Sequence, residues 1–180
     1  LVYDCNRPPE SPSAMPVKSE IYDIPGNFDL SEAERFARTS ALYVPFHDRV
    51  SEIIAERQAN GRKVVVVTIH SFTPVFHGQR RAVEFGVIHD ADPALARAIL
   101  DGARTGTGLE CRLNEPYSAA DDVTHTLRLH ATPYGLANAM LEIRNDLIAS
   151  PAACDAMADR LAPVIATAVA STLNRREEHA

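Results

Sequence analysis

A run of strongly β-forming residues ends in a histidine near the middle of the chain. Residues 64–69 read Val-Val-Val-Val-Thr-Ile, and His70 follows directly. Such a short, continuous run is typical of a strand that is buried on both faces of a parallel sheet. Ligands of open α/β sheets bind outside the carboxyl ends of their strands. We therefore predict that His70 lies at a functional site.

A second predicted strand also ends in polar side chains. Residues 139–141 are apolar, and Glu142, Arg144 and Asp146 follow within the next five positions. A charged side chain in a buried strand needs a partner or a chemical task. We expect Glu142 to belong to the site, and Arg144 and Asp146 to form a pair that orients it. The alternative is that Glu142 is only the structural partner of Arg144.

The opening of the chain predicts a third strand end. Residues 1–5 form a short, largely apolar segment, and Asn6 and Arg7 precede two prolines that cannot continue a strand. The planar guanidinium of Arg7 suits a carboxylate, although an arginine at a strand end can also be an ordinary solvated group. Histidine, glutamate and an Asn-Arg fork together suit a metal-dependent amide hydrolase that acts on an anionic substrate.

Predicted strands alternate with predicted helices along the whole chain. This pattern favours an α/β fold with a mostly parallel or mixed sheet flanked by helices, in a single domain of residues 1–180. Pro45 should kink the first helix near Val44. The remaining predictions are helices at 31–59, 93–104, 120–129 and from 151, strands at 80–89, near 111 and at 138–143, and a long loop at 8–27.

Composition excludes several classes of partner. The net charge of −6 argues against nucleic acid, which usually meets a basic patch. The sequence contains no apolar run of about 20 residues and no signal peptide, so we expect no membrane contact and a cytoplasmic protein. The cysteines are odd in number and not spaced as metal ligands, which argues against disulfides and structural zinc; they are Cys5, Cys111 and Cys154.

Six sequence blocks resemble the N-formylglutamate amidohydrolase family, in that family's order and over most of the chain. The strand-end motifs at His70 and Glu142 are more remotely similar to those of zinc carboxypeptidases. The blocks are Asp-Cys-Asn-Arg-Pro-Pro at 4–9, Ile-Pro-Gly-Asn at 24–27, Pro-Phe-His at 45–47, His-Ser-Phe-Thr-Pro at 70–74, Asn-Glu-Pro-Tyr at 114–117 and Glu-Ile-Arg-Asn-Asp-Leu at 142–147.

The resemblance implies a role for each strand end. His70 would bind a catalytic zinc, Glu142 would serve as general base and acid, and Asn6 with Arg7 would hold the α-carboxylate of the substrate. The family's other metal ligands precede the Asp-x-Asn-Arg strand, so we expect them upstream of residue 1. Catalytic zinc usually has three protein ligands. We therefore expect this chain to be the larger C-terminal part of an N-terminally truncated domain, similar to the zinc-carboxypeptidase and phosphorylase-hydrolase fold.

Three further residues are candidates for substrate contacts. His130 matches a histidine block of the family, which implies a polar contact to substrate or transition state. Arg81 matches a family arginine and could bind a second carboxylate, or it could be ordinary surface charge. Tyr117 could donate a hydrogen bond to developing charge. His47 also lies in a family block, but its position beside a kinked helix favours a structural role.

The implied activity is metal-dependent hydrolysis of N-formyl-L-glutamate, or of a related small N-acyl amino acid, to the free amino acid and formate, as in histidine degradation. One alternative is a deacylase or carboxypeptidase-like hydrolase with another N-acyl substrate. The other is an inactive fragment or a non-catalytic module of the same fold that binds carboxylates.

Overall fold

The computed structural model describes residues 2–178, apart from the side chain of residue 177. Within it the chain forms two compact units, of which the first ends at Val64 and the second begins at Val65. The expectation of a single domain over residues 1–180 stays a prediction. None of the helices within residues 2–178 is long and apolar enough to cross a membrane.

The first unit is a short hairpin followed by helices. Strand β1 pairs antiparallel with β2, and a 3-10 turn at Pro25–Asn27 leads to the helices. The elements are β1 (Lys18–Ser19), β2 (Tyr22–Asp23), α1 (Glu32–Arg38), a π-helical turn (Thr39–Tyr43) and α2 (Val44–Ala59). The predicted loop at 8–27 therefore contains a small hairpin.

The predicted helix over 31–59, with an interruption near Val44, is confirmed. Ser31 accepts a hydrogen bond from the Glu34 amide at 3.3 Å, and Glu34 accepts one from the Ser31 amide at 2.9 Å. This reciprocal capping box starts α1. The π-helical turn precedes Pro45, which lies in the first turn of α2, where the amide that it lacks is least needed.

The predicted opening strand is wrong. Residues 2–4 carry no strand, a turn follows at Cys5, and residue 1 lies outside the described part of the chain. The Asp4 amide donates to the Ala14 carbonyl at 2.7 Å, and the Arg7 amide donates to the Asp4 carbonyl at 3.1 Å. Backbone groups of this segment thus bond to its own proline-rich loop and not to a neighbouring strand.

The second unit is built on a mixed four-stranded sheet in the order β3-β8-β6-β7. Strands β3 and β8 are parallel, β6 is antiparallel to β8, and β7 is parallel to β6. The predicted α/β fold with helices flanking a mixed sheet is confirmed. The elements are β3 (Val65–Phe72), β4 (Val75–Phe76), β5 (Gln79–Arg80), β6 (Phe85–Ile88), α3 (Ala94–Gly106), β7 (Cys111–Leu113), α4 (His125–His130), β8 (Ala137–Arg144) and α5 (Pro151–Glu178).

The two faces of this sheet have different cover. One face packs its apolar side chains, Leu141 and Ile143 among them, against α3 and α5. On the other face Met140 packs against Val123 and against Leu127 of α4. Because successive strand residues point to opposite faces, Glu142 shares the face of Met140.

Two predicted elements in this unit are divided. The predicted helix at 120–129 is wrong in its first half: a 3-10 turn at Ala119–Asp121 is followed by Asp122, whose φ of 55° is left-handed, and α4 begins only at His125. The predicted strand at 80–89 is two elements, since β5 ends at Arg80 in a hairpin with β4, and β6 begins at Phe85.

Candidate active site

His70 and Glu142 lie side by side in the sheet. His70 on β3 is the register partner of Glu142 on β8, and Gly86 on β6 is the partner of Glu142 on its other side. Neighbouring strands are about 4.8 Å apart, and opposed residues project from the same face. Glu142 is buried, at 3% exposed. The structure thus brings together the two residues that were predicted from separate strand ends.

Arg112 completes this row across all four strands. It is the register partner of Gly86 on β7, so the row reads His70, Glu142, Gly86, Arg112. Arg112 forms an exposed ion pair with Glu110 at 2.6 Å. Gly86 and Arg112 were missed from the sequence, because no local pattern marks them and only the strand register aligns them with Glu142.

Gly86 leaves room for a loop beside Glu142. A Cβ atom at position 86 would lie 2.1 Å from the Glu115 carbonyl oxygen and 3.3 Å from the Glu142 Cβ. No side chain fits in that space, since real Cβ atoms do not approach other atoms so closely. The loop that carries Glu115, Pro116 and Tyr117 therefore lies directly against the face of the sheet that carries Glu142, which is called the site face below.

Asn114 and His89 anchor the start of this loop. The Asn114 amide donates to the Val87 carbonyl at 2.9 Å, and the Asn114 Oδ1 accepts from the His89 amide at 3.1 Å. The His89 ring lies between the Asp90 carbonyl, 2.7 Å from Nδ1, and the Asn114 Nδ2, 3.2 Å from Nε2. These partners assign the proton to Nδ1, because a carbonyl only accepts and an amide nitrogen only donates.

Arg81 and Tyr117 meet at one end of the site. The Arg81 Nη1 donates to the Tyr117 hydroxyl at 3.1 Å, and the guanidinium lies 5.0 Å from the centre of the Tyr117 ring. The same guanidinium lies 4.4 Å from the ring centre of Phe76 and 5.5 Å from that of Phe72. Aromatic rings on several sides stabilise and orient a guanidinium. Because Phe72 ends β3 two residues after His70, Arg81 lies close to the row.

Arg144 is held by two carboxylates at the end of β8. Its Nε donates to Asp146 at 2.8 Å, and its Nη2 donates to Glu84 at 3.3 Å. The hydrogen bond to Asp146 raises the pKa of Arg144, although partial burial acts against it. The Arg144 Nη1 also donates to the Arg81 carbonyl at 3.4 Å. The predicted pair of Arg144 and Asp146 is present and braces the backbone of Arg81.

A cleft of about 550 Å³ opens beside Arg81 and the Glu115 loop. Three guanidinium groups and two carboxylates border it, so its lining is positive on balance. The charged residues are Arg80, Arg81, Arg112, Glu115 and Asp121, and the others are Phe76, Ala82, Val83, Pro116 and Tyr117.

His130 lies at the other end of the sheet. It ends α4 and is buried, at 4% exposed. The Leu136 amide donates to the Ala131 carbonyl at 3.1 Å, which places His130 beside the first residues of β8. Strand residues rise about 3.3 Å each, so Glu142 lies roughly 16 Å from the start of β8. The structure does not bring His130 to Glu142, and its catalytic role stays a prediction.

Asn6 and Arg7 belong to the first unit. The Asp4 carboxylate accepts from the Asn6 amide at 2.9 Å and lies 3.8 Å from the Arg7 Nε. The buried His47 donates from Nε2 to the Cys5 carbonyl at 2.9 Å, since a carbonyl only accepts. Burial lowers the pKa of His47, while the bond to Cys5 acts the other way. His47 thus fixes the turn that presents Asn6 and Arg7.

The described residues do not form a complete metal site. Within residues 2–178, no three His, Cys, Asp or Glu side chains lie close enough together to hold a metal ion. A catalytic zinc usually has three protein ligands and an open position. His70 could serve as one such ligand, but this part of the chain alone does not fit the full set.

Comparison with known proteins decides the family. The family model for N-formylglutamate amidohydrolase matches residues 1–149. The chain belongs to the N-formylglutamate amidohydrolase family. All six blocks of the resemblance lie within the matched residues. The sequence is also 71% identical to a gene product of Agrobacterium tumefaciens of known crystal structure, over 95% of this chain and 68% of that chain, with a TM-score of 0.91. No curated protein matches the chain.

Membership of the N-formylglutamate amidohydrolase family gives the residues of the site a chemical context. It supports an amidohydrolase-like function in general. Helix α5, which begins at Pro151, lies beyond the matched region and contributes apolar side chains to the opposite face of the sheet.

Proposed function

We propose that the protein is a metal-dependent amidohydrolase that cleaves N-formyl-L-glutamate, or a related N-acyl amino acid, to the free amino acid and formate. The observation that carries the proposal is the register pairing of His70 with Glu142 on one face of the sheet, in a chain of the N-formylglutamate amidohydrolase family. A carboxylate beside a histidine at a strand end suits hydrolysis of an amide.

Glu142 moves the proton in the proposed reaction. Its carboxylate takes a proton from water as the water oxygen bonds to the acyl carbon, and it returns the proton to the leaving nitrogen as the carbon–nitrogen bond breaks. Its burial and its place between His70 and Gly86 support this role. On the Gly86 side, the Glu115 carbonyl oxygen occupies the position that a side chain of residue 86 would need.

His70 is proposed to be one ligand of a zinc ion. A bound zinc would lower the pKa of water and polarise the acyl oxygen. The other ligands would have to come from outside residues 2–178, because the described residues offer no cluster of three. Neutral imidazole is a common zinc ligand, and His70 lies next to the proposed base.

Four residues are proposed to contact the substrate. Asn6 and Arg7 would bind the α-carboxylate, in line with the family resemblance of the block at 4–9. Arg81 would attract a further carboxylate, and Tyr117 would donate to developing charge. The hydrogen bond between Arg81 and Tyr117, and the three rings around Arg81, support a shared and well-oriented contact.

A substrate panel tests the proposal. The complete protein, supplied with zinc, is incubated with N-formyl-L-glutamate, N-acetyl-L-glutamate and N-formyl-L-leucine, and release of the free amino group is measured. We expect N-formyl-L-glutamate to react fastest. Faster turnover of N-acetyl-L-glutamate would favour the related deacylase. Absence of turnover on every substrate would overturn the proposal and favour a module that binds carboxylates without catalysis, which the incomplete metal cluster of the described residues also fits.

A further inference from the structure

Arg112 and Arg80 stand out because the proposed reaction leaves both unused. Both line the cleft beside Arg81. Arg112 lies in the same row as Glu142, two strands away, and so within about 10 Å of it. The Glu115 carbonyl oxygen lies over Gly86 between the two residues, so a ligand that meets both would pass over the Glu115 loop, which itself lines the cleft.

The guanidinium groups of the cleft differ in the contacts that they already make with other residues. Arg81 is surrounded by three rings and donates to Tyr117. The Arg80 side chain has no ion pair or hydrogen bond within residues 2–178. Among the described residues, Arg112 has one ion pair, with Glu110, and both side chains are about half exposed, at 50% and 47%. Such an exposed pair contributes little, so a ligand carboxylate can join or replace it.

The two carboxylates of the cleft do not cancel this positive charge. Asp121 is engaged as the cap of its own turn, where its Oδ2 accepts from the Ser118 amide at 2.8 Å. Glu115 leaves one carboxylate against the three guanidinium groups of the cleft, so the lining keeps a net positive charge. Two arginines can therefore meet an incoming anion, and a guanidinium binds a carboxylate through two parallel hydrogen bonds.

We propose that this cleft binds the side-chain carboxylate of the substrate amino acid, and that Arg112 shares this carboxylate with Arg81 and determines specificity, with Arg80 as its support. The proposal rests on the proposed function and deepens it, because it states which part of the substrate lies against which strand. The second carboxylate of an N-acyl glutamate lies four bonds from the scissile nitrogen, and the long side chain of Arg112 would extend toward it across the about 10 Å that separate Arg112 from Glu142 in the row.

The test compares two substrates that differ only in charge. N-formyl-L-glutamate and N-formyl-L-glutamine have the same scissile bond and the same length. In the complete protein, Arg112→Gln should raise the KM for N-formyl-L-glutamate by about 10- to 100-fold, because a charged hydrogen bond is lost. The KM for N-formyl-L-glutamine and the kcat for both should stay unchanged. Arg112→Lys should restore part of the preference, and Arg97→Gln, an exposed arginine of α3, serves as the control.

A binding measurement separates this proposal from the proposed function. Calorimetry with L-glutamate and L-glutamine reports the charge preference without any reaction. A preference for L-glutamate that Arg112→Gln abolishes supports the cleft even if the protein hydrolyses nothing. Two results would overturn the cleft proposal while the hydrolase proposal remains. In Arg112→Gln, the kcat/KM falls equally for N-formyl-L-glutamate and N-formyl-L-glutamine, or it falls for neither, while the native protein hydrolyses N-formyl-L-glutamate.

Discussion

Single residues decide whether the site face of the sheet can form. Gly86 is the clearest case, because the Glu115 carbonyl oxygen occupies the position that a Cβ would need. The loop that follows carries Tyr117 to Arg81. Because Gly86 has no side chain, this loop can pack against β6 and hold Tyr117 beside Arg81. Both of these residues are proposed to contact the substrate.

Gly86→Ala should displace this loop. The new methyl group meets backbone atoms that cannot rotate away, so we expect the free energy of unfolding to fall by about 1–3 kcal/mol. Gly26→Ala is the matched control, because its Cβ would meet nothing within 4 Å. Urea unfolding measures both variants. Equal stability of the two would show that the loop yields without cost.

The proposed site residues are positioned by the strands and helices that carry them. Strands β3 and β8 end at the site, and α2 carries His47 beneath the turn of Asn6 and Arg7. His47 is buried and donates one hydrogen bond, so the fold favours its neutral form.

The stability of the first unit should therefore depend on pH. Burial lowers the pKa of His47 in the folded state relative to the unfolded chain. Its contribution is present above the unfolded pKa of about 6.5 and is lost as the pH falls through the lower folded value. Urea unfolding at several pH values should show this loss in the native protein and a flatter profile in His47→Gln. His77→Asn, at an exposed turn, should keep the native profile; an equally steep profile in His47→Gln would rule out this origin.

Helices and strands with a strong local sequence pattern could be predicted from the sequence. Which strands pair with each other, and in which register, could not. The β-branched run before His70 and the apolar residues of α3 indicate their own structure. The helix predicted over 120–129 is wrong in its first half because Asp122 adopts a left-handed φ, which the sequence does not mark. The row from His70 to Arg112 depends on strand order and register, which are set by contacts between residues distant in sequence.

At the scale of the whole molecule, the residues proposed for the reaction belong to two compact units. The first unit carries Asn6 and Arg7, and the second carries His70 and Glu142. The described residues provide one histidine for a metal at the candidate site. The proposed zinc therefore depends on residues outside this part of the protein.

Metal content tests that dependence without any assay of turnover. The complete protein should bind one zinc ion per chain, and His70→Ala should lose it because one ligand is missing. His77→Ala changes an exposed histidine and should keep the metal. Elemental analysis after dialysis gives the stoichiometry. Full zinc content in His70→Ala would remove His70 from the metal site.

The turnover of Glu142→Gln shows directly whether Glu142 moves the proton. The substitution keeps the size of a buried side chain and removes the group that moves the proton. The account predicts that kcat for N-formyl-L-glutamate falls by about 10²- to 10⁴-fold while KM and zinc content stay close to those of the native protein. Glu52→Gln on α2 should behave like the native protein. A native kcat in Glu142→Gln would contradict the account, because the proton would then be moved by another group.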